Sequence, residues 1–224
     1  MLWRTLTAAM IVAMLAAVPA WATPDKPMSF ALKGGVNPAF QELEPDPDNR
    51  DGSLLGYGGG ATLGINLSPS FSVDTDFLYV QKGGKYKDVF RNGNDMGGEE
   101  RVFKSQVEMN YIVVNPMFRI APNTDGARPY LMAGPEFGYL IDAQWSYEDD
   151  RGKSTEDAKE EFKETDFGIN MGGGLEIPMQ GSTSFFFEGR YSMGMTDVTD
   201  INEEESERGS AKNRSIFVFG GLRF

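Results

Sequence analysis

Apolar and small or polar side chains alternate with a period of two along most of this chain. Only extended strand backbone turns that period into two opposite faces. In 183–195, Phe185, Phe187, Gly189, Tyr191 and Met193 share one face, and Phe186, Glu188, Arg190 and Ser192 the other. In 166–178, Phe167, Ile169, Met171, Gly173, Leu175 and Ile177 oppose Gly168, Asn170, Gly172, Gly174 and Glu176. In 55–67, Tyr57, Ala61, Leu63, Ile65 and Leu67 oppose Gly58, Gly60, Thr62, Gly64 and Asn66. The final residues set Ile216, Val218, Gly220, Leu222 and Phe224 against Ser215, Phe217, Phe219, Gly221 and Arg223. Eight strands are expected, over 28–40, 55–67, 71–82, 102–121, 129–145, 166–178, 183–195 and 213–224. A content of 27 Gly, 16 Phe and 8 Tyr suits an all-β chain.

The connections alternate in length. Short turns fall at 68–70, 122–128 and 179–182, each with Pro, Asn, Asp, Gly or Ser. Long acidic loops fall at 41–54, 83–101, 146–165 and 196–212, with a short helix expected at 154–164 behind a Ser154 or Thr155 cap. Alternating short and long connections are the pattern of an eight-stranded antiparallel up-and-down transmembrane β-barrel. In a membrane the apolar faces meet lipid and the polar faces fill the interior. In a soluble, lipocalin-like periplasmic binder the apolar faces would turn inward around a ligand.

Residues 1–22 carry the marks of an export signal: Arg4, an apolar run at 6–18, and Ala20-Trp21-Ala22 as a cleavage site. The run is short for a membrane anchor helix. A short leader, 23–27, precedes the barrel, 28–224. The chain has no Cys and no His, so no disulfide, thiolate or imidazole chemistry is open to it. A net charge of −12 argues against nucleic acid as a partner.

Parity places Lys33, Asp74, Asp76, Arg119, Glu136, Glu176, Glu188, Arg190 and Arg223 on polar faces at mid-strand. Charges survive inside a barrel only when paired and hydrogen-bonded. Four cations against five anions permit that pairing. Eight strands give an interior filled by side chains rather than an open pore. Tyr57, Tyr79, Tyr130, Tyr139, Trp145, Tyr191 and Phe224 are candidates for the aromatic girdles at the two membrane interfaces.

Two features resemble known proteins. Phe224, with Leu222 two residues before it, resembles the C-terminal assembly signal of bacterial outer-membrane barrels, whose last strand pairs with the first. The hairpin from Tyr111-Ile112-Val113-Val114-Asn115-Pro116 to Arg128-Pro129-Tyr130-Leu131-Met132-Ala133-Gly134-Pro135-Glu136-Phe137-Gly138-Tyr139 resembles the PorT-like outer-membrane β-barrel family. That resemblance implies an outer-membrane barrel, handled by the barrel assembly machinery and surrounded by lipid and lipopolysaccharide, with no single activity. Pro116 and Pro135 inside strands are expected to mark bulges or kinks.

No catalytic constellation stands out. Barrel enzymes usually rely on a His base, and the acids here read as solvated loops. The Gly runs at 58–60 and 172–174 lie within strands, so they are expected to serve close packing or bends rather than phosphate binding. Residues 46–52 resemble a calcium loop through Asp46, Asp48 and Asp51, but Arg50 breaks the spacing and no bidentate Glu follows. Loose divalent-ion bridging from the acidic loops to lipopolysaccharide phosphates is a further expectation. No cofactor is expected. The functional expectation is a non-enzymatic barrel with a filled interior, acting structurally or through its loops, with a narrow porin as the alternative.

Overall fold

Pairing along the last strand decides the architecture. Leu222 lies opposite Leu32 and Val218 opposite Val36, so the end of the chain is stitched antiparallel to its first strand. Phe30 and Phe224 exchange both backbone hydrogen bonds at the seam, at 3.3 and 2.8 Å. The computed structural model describes residues 27–44, 50–92, 99–124, 126–149, 152–179, 181–199 and 210–224. The expected export signal, Asp46 and Asp48 lie outside these residues, and Asp51 is described only in its backbone.

The strands are β1 (Met28–Glu44), β2 (Arg50–Gly52), β3 (Leu54–Ser68), β4 (Phe71–Asn92), β5 (Glu99–Ile120), β6 (Arg128–Asp149), β7 (Gly152–Asp157), β8 (Thr165–Pro178), β9 (Ser184–Gly194) and β10 (Ser210–Arg223). Setting aside the short β2 and β7, each strand pairs antiparallel with its neighbours in the sequence, and β1 pairs β10. The result is a closed barrel of eight strands with no open edge in its wall.

Three expected loops are shorter than the sequence suggests. β4 and β5 stay paired from Phe71–Ile120 to Asn92–Glu99, so most of 83–101 is strand. Gly83 makes this continuation possible: its φ is +140°, and a Cβ there would lie 1.9 Å from the Val107 carbonyl oxygen. β1 runs on to Glu44, and Arg50–Gly52 pairs with β4. β6 extends to Asp149, and Gly152–Asp157 folds back on it as β7, with Ser146 Oγ 3.2 Å from Thr155 Oγ1. The helix expected at 154–164 is therefore strand followed by one 3-10 turn, Lys159–Glu161. Ser and Thr gain more from cross-strand pairing here than from capping an isolated helix of this length.

The prolines are accommodated without a bulge. Val114 pairs with Phe137 and Phe118 with Ala133 in one register, which sets Pro116 opposite Pro135. Two residues lacking N–H share a single gap in the β5–β6 ladder. The register shift on this hairpin lies further up, between Asn110 and Tyr111.

β4, β5 and β6 have 22 residues each. At roughly 3.3 Å per residue they run about 70 Å. Tilted by about 40°, they still rise far beyond the ~25 Å apolar band of an outer-membrane barrel. With β2 and β7 on their flanks they form a wall that projects from the loop end.

Candidate functional site

The polarity of the barrel is fixed by which faces are buried. Leu131 is 71 % exposed, and Phe118, Phe187, Val218 and Phe77 also point outward. Asp76 is 0 % exposed, and Asp74, Glu136, Glu188 and Arg190 are buried inside. Soluble monomers rarely present so many large apolar side chains to water on one continuous surface, whereas such a surface suits contact with lipid. The ligand-binding barrel with inward apolar faces is excluded by this arrangement.

The interior charges form three connected groups. Nearest the chain termini, Arg223 Nη2 lies 2.6 Å from Asp74 Oδ2, and its Nη1 donates to Ser29 Oγ at 2.9 Å. Arg119 Nη2 lies 2.5 Å from Glu176 Oε2, and Ser184 Oγ donates to Glu176 Oε1 at 3.0 Å. The Arg119 guanidinium stacks 4.2 Å from the Tyr130 ring centroid. Tyr130 Oη in turn donates to Glu188 Oε2 at 3.0 Å, joining this group to the next.

At mid-height two cations and two anions form a square. Lys33 Nζ is 2.9 Å from the Asp76 carboxylate and 3.3 Å from Glu188 Oε1. Arg190 is 2.6 Å from each of the same two acids. Both contacts are buried ion pairs. Thr62 Oγ1 donates to Asp76 Oδ1 at 2.6 Å, and the Phe219 ring lies 5.3 Å from Lys33 and 5.6 Å from Arg190. At this depth attraction is strong because water is excluded. Each carboxylate also has a second partner, which buried ion pairs require.

The third group centres on a lysine absent from the sequence expectation. Lys82 Nζ is 2.5 Å from Glu136 Oε1 and 3.0 Å from Asp166 Oδ2. Asn170 and Ser192 donate to Glu136 at 2.8 and 3.2 Å, and Asn213 and Thr196 donate to Asp166 at 3.0 and 3.1 Å. Parity carried the signal for both missed residues. Lys82 follows Asp74 and Asp76 at even spacing on β4, and Asp166 precedes Gly168 and Asn170 on the same face of β8. Among the described residues the nine expected charges lie in these groups, and Lys82 supplies the cation that Glu136 otherwise lacks.

Glycine makes space for the network. A Cβ at Gly174 would lie 2.5 Å from the Tyr130 ring, so the Gly run on β8 is the recess that receives that ring. Tyr130 is consequently an interior residue and not part of a girdle. Trp145 also leaves the girdle. The bulge beside Asn110 inserts one residue into β6 and turns Trp145 inward against Tyr86. Tyr57 and Tyr79, stacked at 5.9 Å, and Tyr139 remain at the outer interface.

The interior also holds an apolar cluster, which parity alone does not convey. Leu78 and Val80, between Asp76 and Lys82 on β4, join Val107, Met109, Val113 and Leu140 in it, and Ala158, Phe162 and Val198 from the connections pack on the same cluster. Lys163 N donates to the Val198 carbonyl at 2.8 Å, and Val198 N to that of Ala211 at 2.9 Å, so two connections are sewn together across the mouth. Among the described residues no group of three or more Asp and Glu is arranged to hold a metal ion.

A closed eight-stranded barrel with lipid-facing apolar residues and a charged, filled interior defines a membrane-spanning β-barrel protein. The outer membrane protein beta-barrel domain family matches residues 22–200. The chain belongs to that family, and it is an outer-membrane protein. No curated protein matches it. Similar solved structures include Neisserial surface protein A, at 12 % identity and TM-score 0.44, covering 88 % of this chain and 96 % of that one. A major outer membrane protein from Thermus thermophilus is 11 % identical, with TM-score 0.47, covering 89 % and 100 %. The outer membrane protease OmpT from Escherichia coli is 10 % identical, with TM-score 0.40, covering 93 % and 99 %. The family assignment stands on the match over 22–200.

Proposed function

We propose that this chain is a non-catalytic, non-conducting barrel that holds its projecting β4–β7 wall and loops at the cell surface for contact with partners. The observation that carries this reading is the double closure of the interior. A bonded charge network spans mid-height, and Ala158, Phe162 and Val198 cover the mouth. The lumen acids support a structural role because each already holds a cation or a hydrogen-bond donor. The likeness to a protease is met here by a chain without His, so its interior offers no imidazole base. Export through residues 1–22 and recognition of Leu222 and Phe224 by the assembly machinery belong to the same reading. So does the narrower PorT-like grouping suggested by the 111–139 hairpin.

The test is conductance and solute flux through the refolded full chain in planar bilayers and liposomes. The reading expects neither stable channels nor sugar-driven swelling. Steady conductance through the intact chain would replace it with the narrow porin.

A further inference from the structure

The inward face of the projecting wall carries two cross-strand rows over β5, β6 and β7. In one, Val107 pairs with Trp145 and Trp145 with Glu156. In the next, Ser105 pairs with Tyr147 and Tyr147 with Ser154. Val107 is fully buried, which fixes the direction of both rows. The Trp145 and Tyr147 rings lie nearly parallel, with 18° between their planes and 6.1 Å between centroids, as neighbours on one face of a strand can. Trp145 also packs against Tyr86 and Phe162, at 6.1 and 6.4 Å. Tyr147 has no such cover and is 42 % exposed.

Two carboxylates meet these rings. Glu156 lies directly opposite Trp145. Glu161, on the 3-10 turn after β7, accepts from Trp145 Nε1 at 3.1 Å. Both acids are exposed. This end of the wall stands outside the membrane. Partial burial raises the pKa of the Tyr147 phenol, and Glu156 and Glu161 raise it further, so both carboxylates act on that hydroxyl. Among the described residues no cation offsets them there, and neither acid is held in an ion pair. The two rows contain no lysine or arginine. Lys153 alternates onto the other face of β7, opposite Glu148, and Lys163 lies 3.9 Å from Asp197. Lys159, two residues before Glu161, pairs with neither acid.

Exposed aromatic faces beside unpaired carboxylates attract a cation, because the ring quadrupole and the anions act in the same sense. A guanidinium meets both at once: its plane lies flat on a ring while its N–H edge donates to carboxylates. A quaternary ammonium has no N–H to donate, and it is recognised by an enclosing aromatic cage rather than an open face. A neutral sugar also stacks on rings, but its hydroxyls give Glu156 and Glu161 weaker hydrogen bonds than a charged donor does.

We propose that Trp145, Tyr147, Glu156 and Glu161 form a docking site for an arginine side chain of a partner protein. The guanidinium stacks on the exposed Tyr147 ring and donates to Glu156 and Glu161. The proposal rests on the surface-contact reading above and supplies the chemistry of the partner.

Trp145 itself is the reporter. The chain holds three tryptophans, and Trp3→Phe/Trp21→Phe leaves Trp145 as its single indole. In that background the refolded full chain is titrated with an end-blocked peptide carrying Arg between Gly and Ser residues, and with its Lys and citrulline counterparts. The Arg peptide is expected to shift Trp145 emission saturably. The Lys peptide should bind about fivefold more weakly, and the citrulline peptide, of the same shape without the charge, should give no shift. Glu156→Gln/Glu161→Gln and Tyr147→Leu should each weaken Arg binding about fivefold or more. Tyr147→Phe and Glu160→Gln/Glu164→Gln, the latter removing two other acids of the same connection, should bind as the parent does. Equal binding of citrulline, unchanged binding by Glu156→Gln/Glu161→Gln or Tyr147→Leu, or an equal loss in Glu160→Gln/Glu164→Gln would each overturn the site. So would displacement of the Arg peptide by a neutral oligosaccharide. A heat-shifted gel band shows that each variant has formed its barrel. The same preparation should carry no current in planar bilayers; conductance would overturn the non-conducting reading while leaving the arginine titration intact.

Discussion

Below the girdle and above it, the same strands follow opposite rules. On β4, Phe77 and Tyr79 point outward while Asp74 and Asp76 point inward; a few residues later Lys85 and Lys87 point outward while Tyr86 is buried inward. On β5, Ile112 and Phe118 face out over Asn115 and Arg119, whereas Lys104 and Gln106 face out over Val107. The side-chain parity of β4 and β5 continues through the change. What reverses is the medium outside, from hydrocarbon to water. The chain places its apolar atoms wherever water is absent. In the membrane slab that is the outer surface; above it, the space beneath Trp145, Phe162 and Val198.

The largest expected break of this contrast comes from the slab interior. Arg190→Leu leaves Asp76 and Glu188 sharing only Lys33, and removing one partner of a buried pair costs about 3–5 kcal/mol. Urea unfolding from vesicles should show a loss of that size. Next comes the outer surface. Val218→Lys at mid-barrel should cost about 2–4 kcal/mol. Gln144→Lys, also outward but above the girdle and opposite Glu108 and Asp157, should stay within about 0.5 kcal/mol of the parent. Equal costs at the two positions would erase the contrast. Phe162→Ala should act locally, speeding amide exchange at Ala158 and Lys163 with a smaller effect on global unfolding.

The smallest effect concerns Asp197, outside the membrane between β9 and β10. Its Oδ1 accepts from Thr199 N at 3.1 Å, Thr199 Oγ1 at 2.9 Å and Ala211 N at 2.9 Å. Partial burial pushes the carboxyl up, but the backbone donors from Ala211 and Thr199 outweigh it and hold its pKa below the usual value. A depressed carboxylate stabilises the fold above the ordinary pKa, near 3.9, and loses that contribution as pH falls through its own lower value. Amide shifts of Thr199 and Ala211 should therefore move only under acid, and Asp197→Asn should abolish the titration.

Much of the slab was legible because lipid enforces a strict two-residue alternation. The inward row of Glu188 and Arg190 follows from parity alone, and the closure of β10 on β1 was implied by the likeness of Phe224 to an outer-membrane assembly signal. Legibility failed where that constraint lapses. Gly83 to Asn92 reads as a loop, since an aqueous sheet needs no apolar face to continue. The one-residue bulge opposite Asn110 leaves no compositional mark, yet it reverses the direction of Trp145. The apolar cover over the mouth depends on Phe162 meeting Val198, a contact between two connections that no local pattern announces.

The most direct measurement is a single-cysteine spin-label scan of β10 in bilayers, which the absence of native Cys makes clean. Labels at Ile216→Cys, Val218→Cys and Leu222→Cys should collide with dissolved oxygen and be shielded from a water-soluble nickel complex. Those at Phe217→Cys and Phe219→Cys should be shielded from both. A scan in which 216, 218 and 222 meet the aqueous nickel complex would contradict the outward-apolar, inward-charged barrel.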